Sequence, residues 1–105
     1  MTLGKKAADM ASISSESLAY RVAEAMTLLH GWNGRTSPSE LAEAIRHILL
    51  PLAEASDDLD SLTCARLAHV HLRLDALATE PYQYEDRDML DRSLLRLWEQ
   101  LNENA

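Results

Sequence analysis

Apolar residues recur at helical spacing through most of the chain, and the stretch from Leu59 to Leu77 does so twice over. At about 100° per residue, Leu59, Leu67, Val70, Leu74, Leu77 and Ala78 fall on one face of a helix. Ala65, Ala68, Leu72 and Ala76 fall on the opposite side. A helix serving one small core needs a single apolar stripe, so the second predicts that this helix meets two different surroundings. Ser56, Asp57, Asp58 and Asp60 place negative charge where its dipole is positive, and Pro81 stops it at about Glu80. A helix over 58–79 would be about 33 Å long, the length of a small domain, which makes it the expected centre of the fold.

Three further helices flank it. Capping side chains at Ser12, Ser14, Ser15 and Glu16 open the first, which runs to about His30 with Leu18, Val22, Ala25, Met26 and Leu29 on one face. Gly31 ends it in the left-handed conformation that glycine tolerates, with Trp32 folding back on Met26. Ser37-Pro38-Ser39-Glu40 is the sharpest local signal. Ser37 fits the N-cap, Pro38 the first helical position, and Glu40 can return to the Ser37 amide as a capping box. The second helix buries Leu41, Ile45, Ile48, Leu49 and Leu52 and is broken or kinked near Leu50, because Pro51 lacks an amide donor and crowds the carbonyl of His47. Tyr82 and Tyr84 occupy the next connection. Glu85, Asp86 and Asp88 then open the last helix, with Leu90, Leu94, Leu97, Trp98 and Leu101 as its stripe and Asp88 one turn from Arg92 as an ion-pair partner. Met1 to Ile13 carries no sustained period and reads as a mobile arm, with a loose turn around Lys6 to Met10, and the tail from Asn102 is expected to fray. The fold class expected is therefore all-α, a single domain built as a small bundle of about four helices.

Composition agrees with this and narrows the partners. At 105 residues with 47% hydrophobic content, no Phe and three Pro, the core must be built from Leu, Ile, Val, Met and Ala, which favours helices. The net charge of −7 opposes a general affinity for nucleic acid or anionic lipid. One cysteine, Cys64, excludes an internal disulfide and fits a reducing compartment. Lys5 and Lys6 precede no apolar run, and no stretch is long enough to span a bilayer, so the expected location is the cytoplasm.

Candidate chemistry is sparse. His69 and His71 point about 160° apart on a helix and cannot grip one ion. Cys64, His71 and Asp75 share a side, but two turns, roughly 10 Å, separate Cys64 from His71. A metal site would need His30 or His47 from another helix, which makes a small metal or ligand carrier using His47, Cys64, His69 or His71 the alternative function. Arg35 to Ile45 resembles the supporting helix of a helix-turn-helix DNA reader. No glycine turn or basic recognition helix follows it, so DNA binding ranks third. The distance from Cys64 to His71 also prevents a nucleophile–base contact, and no Gly-rich phosphate loop is present, so the chain is expected not to be an enzyme and to need no cofactor.

Apolar residues that miss the main stripes are more informative. Tyr20, Leu50, Leu72, Met89 and Leu95 project away from the core faces of their helices. With Ala65, Ala68 and Ala76 they form a second set that must be intrachain core, a homodimer interface or a surface for another protein. Tyr20, Leu50, Ala65, Ala68, Leu72 and Ala76 are the candidate partner-binding residues. In size, acidity, single cysteine and helical character the chain is similar to small bacterial anti-activators of the QslA type, which inhibit the quorum-sensing activator LasR. That similarity assigns no residue a role. It implies binding to the ligand-binding domain of a transcriptional activator and a block of its dimerisation or DNA binding. The function expected is a non-enzymatic regulator that occludes or disrupts a partner protein and forms a homodimer.

Overall fold

The computed structural model describes residues 15–79 and 84–103, and all of its regular structure is helical. The arm expected over 1–13, the caps at Ser12 and Ser14, and Pro81 and Tyr82 lie outside the described residues. Five α-helices and one short 3-10 turn follow in order: α1 (Ser15–His30), α2 (Pro38–Ile48), α3 (Leu50–Glu54), the turn Ser56–Asp58, α4 (Ser61–Ala78) and α5 (Tyr84–Glu103).

The second helix begins as its sequence dictates. Ser37 Oγ accepts from the Glu40 amide at 3.1 Å, Glu40 Oε1 accepts from the Ser37 amide at 3.5 Å, and Pro38 occupies the first turn. Pro51 divides this helix from the next, with Leu49 as the shared boundary residue, so a break falls near Leu50 as expected. The acidic run does not simply start the long helix. Ser56–Asp58 winds as a separate 3-10 turn, Leu59 is extended, and Asp60 caps α4 by accepting from the Thr63 amide at 2.8 Å. The helix is therefore 18 residues, about 27 Å rather than 33 Å. Gly31 also differs from expectation. Among the described residues the only positive φ belongs to Gly34 at 88°, and the end of α1 is closed instead by Gly31 N–H to Thr27 O at 3.0 Å and Trp32 N–H to Leu29 O at 3.2 Å.

Each long helix contributes one leucine-rich stripe to a single core. Leu18, Val22 and Leu29 from α1 meet Leu41 and Ile45 from α2, Leu67, Val70, Leu74 and Leu77 from α4, and Leu90, Leu94, Leu97 and Leu101 from α5. Most of these side chains are fully buried; Thr63 joins them, which the apolar count along α4 misses. Trp98 departs from its stripe and stays 37% exposed. The hub is α5, not α4: α5 packs along both α4 and α1, while α4 packs on α5 and, over a shorter stretch, on α2. The short connection between α4 and α5 makes those two antiparallel neighbours. At the other flank, Arg87 Nη2 donates to the carbonyls of Leu29 (3.1 Å) and His30 (3.3 Å), while its guanidinium lies 5.9 Å from the Trp32 ring centre. The start of α5 thus satisfies the open carbonyl end of α1.

Candidate functional site

On α4, the outer side chains were expected to be intrachain core, a homodimer interface or a surface for another protein, and they stand outside the core that the described residues form. Leu72 is 58% exposed, Ala65 and Ala68 are exposed, and Ala76 is half-buried. No helix of the described residues covers this face: α4 meets α5 and α2 on its flanks, and α1 does not pack along it. Leu62, 47% exposed, extends the apolar face toward the N-terminal end.

The other candidates do not join this patch. Tyr20 lies on the exposed side of α1, on a shallow shelf with Ala23, Leu28 and Ile48. Leu50 is exposed at the start of α3, because Pro51 ends α2 beside it. Met89 and Leu95 are exposed on different sides of α5. The six residues grouped by their shared failure to join a stripe therefore comprise one contiguous face, Ala65–Ala68–Leu72–Ala76, and two separate positions.

Beside that face, α4 and α5 form a groove of about 210 Å³. Arg66, His69 and Arg73 line it from α4 at spacings of three and four residues; Met89, Arg92, Ser93 and Arg96 line it from α5 at three, one and three. Both sets are helical stripes, brought together because the two helices pack side by side. Four of the ten Lys and Arg residues of an acidic chain meet here. Among the described residues none of the four arginines makes an ion pair or hydrogen bond, and the half-buried Arg66 carries its Nε out of solvent without a partner. The expected Asp88–Arg92 pair does not form among the described residues. The groove is not foreseeable from the sequence, although the spacing of each basic stripe is visible there.

The histidines and cysteine separate as their helical positions require. His69 faces the groove and His71 faces α2, where burial, with Arg46 nearby, holds the imidazole below its ordinary range against the opposing pull of Asp75. Arg46 pairs with Asp75 across the α2–α4 contact. Cys64 Sγ is half-buried and donates toward the carbonyls of Ser56 (3.4 Å) and Leu59 (3.8 Å), fastening the 3-10 turn to α4. His30 Nε2 meets Asp91 Oδ1 at 2.6 Å, and His47 is exposed. Among the described residues no three His, Cys, Asp or Glu side chains are placed to hold a metal ion, and no helix is long and apolar enough to cross a membrane.

No family model matches the chain, and the searches of curated proteins and of solved structures find no match to it.

Proposed function

We propose that the protein is a non-enzymatic regulator in the cytoplasm that works by docking another protein, such as a transcriptional activator, on the outer face of α4. The observation that carries this reading is the position of Leu72. It stands 58% exposed on the outer side of the helix that also supplies Leu67, Val70, Leu74 and Leu77 to the core, and no helix of the described residues packs over it. A face made of one large apolar residue among alanines allows close approach by a second helix, whose side chains can pack around Leu72. Leu62 lengthens the contact, and the core on the reverse side holds the backbone rigid, which lowers the entropy lost on docking.

The same face is suited to a twofold contact between two copies, since a patch of small residues around one leucine can meet itself. Two measurements separate these uses. Light scattering of the purified chain reads the homodimer, which Leu72→Glu would convert to a monomer by placing like charges together. A photo-crosslinking residue at position 68, expressed in the source cell, reads the other protein. The expected result is a single adduct larger than two copies of the chain, lost in the Leu72→Glu background while the purified variant keeps its helical circular dichroism. An adduct only between copies assigns the face to self-association. The absence of any adduct that depends on Leu72 overturns the reading.

A further inference from the structure

We infer that the groove between α4 and α5 is a binding site for a compact phosphate-bearing ligand. Arg66 and Arg73 stand two turns apart on α4, and Arg92 and Arg96 one turn apart on α5, so that four guanidinium-bearing side chains border one groove of about 210 Å³. Bringing like charges together opposes folding, and among the described residues no carboxylate pairs with any of the four. Placed among them, an anion turns that repulsion into attraction. It also offers acceptors to guanidinium donors that no carboxylate among the described residues meets.

Ligand class follows from the donors and the space. Each guanidinium presents a planar fork that matches two oxygens of a phosphate or carboxylate. A lone carboxylate has two oxygens and one charge, too few for forks arriving from two helices. A phosphoryl group carries three terminal oxygens and close to two charges. Ser93 adds a hydroxyl on the same side, and Met89 supplies an apolar contact for a short organic stem. The groove is smaller than sites for drug-sized molecules, so it accommodates a phosphate ester or pyrophosphate rather than a large cofactor. The chain's charge of −7 repels nucleic acid and anionic membranes at longer range, which favours a small ion over either polyanion.

Titration calorimetry with inorganic pyrophosphate and with glycerol phosphate, on the full chain at low and physiological salt, tests this. The expected result is saturable one-to-one binding of either probe below about 1 mM. Arg66→Gln/Arg96→Gln should weaken it by about tenfold or more. Arg21→Gln, on the exposed side of α1, should leave it unchanged. The double variant should melt no lower than the wild type in the absence of ligand, because it relieves repulsion, and should lose the upward shift in melting temperature that pyrophosphate gives the wild type. No heat at millimolar probe, or equal weakening by Arg21→Gln, overturns the site. Retention on phosphatidylserine vesicles or on an acidic peptide in preference to both small phosphates overturns the ligand class. None of these outcomes depends on whether the outer face of α4 docks a protein.

Discussion

Leu72 and Leu74 are two residues apart on α4 and face opposite environments. Leu74 is fully buried against the other helices, and truncating it to Ala should cost about 2–5 kcal/mol in urea unfolding, the range for deleting a large aliphatic side chain from a packed core. His71, between α4 and α2, makes a second prediction at this scale. Its imidazole is harder to protonate in the folded protein than in the unfolded chain, chiefly through burial and then through Arg46. The unfolded chain therefore takes up the proton first as pH falls. The His71 contribution is complete above the unfolded value of 6.5 and declines as pH drops through 6.5 toward the lower folded value. Unfolding free energies measured between pH 7.5 and pH 5.5 should fall less in His71→Gln than in the wild type. Equal pH dependence in both proteins would contradict the assignment. The inward residues were legible in the sequence because a 3.6-residue period fixes which side chains share a face. Thr63 escaped because a hydroxyl does not register in an apolar count, and Trp98 was over-assigned because hydrophobicity alone does not place a ring at the rim of a core.

Helix ends and helix partners were legible to different degrees. The Ser37–Glu40 capping box and the division at Pro51 are local events, determined by side chains within four residues, and the sequence contains all of their chemistry. The start of α4 was not readable to the same accuracy. Four capping-type residues compete between Ser56 and Asp60, and only the folded turn shows Asp60 winning. Asp60→Ala should therefore cost about 0.5–2 kcal/mol, whereas Asp57→Ala, on the exposed 3-10 turn, should change stability by less than about 0.5 kcal/mol. The junction between α5 and the end of α1 was invisible, because Arg87 and Leu29 are 58 residues apart. Replacing Arg87 by Met keeps much of the stem and removes the donors to two helix-end carbonyls. A loss of about 1–2 kcal/mol is expected, and an unchanged unfolding midpoint would show that water serves those carbonyls equally well. The arginine groove belongs to the same class of feature. Each basic stripe can be counted along its own helix, but which helix faces which is a property of packing.

At the scale of the molecule, the role expected of the long central helix is divided between two. The hub is α5, which packs on both α1 and α4, and α4 sits at the side with one face in the core and the other, among the described residues, open. That division explains why α4 carries two apolar stripes: the inner holds the fold, and the outer is free to meet something else. The arginine groove runs along the edge between them, so the two proposed surfaces share a helix while presenting different chemistry. The measurement that tests this division most directly is urea unfolding of Leu72→Glu followed by circular dichroism, beside Leu74→Glu as the inner-face counterpart. Leu72→Glu should keep the wild-type spectrum and unfold cooperatively within about 0.5 kcal/mol of the wild type if that is monomeric, while Leu74→Glu should fail to fold. A Leu72→Glu protein that loses its helical spectrum or its cooperative transition would place Leu72 inside the core and leave α4 without an outer face.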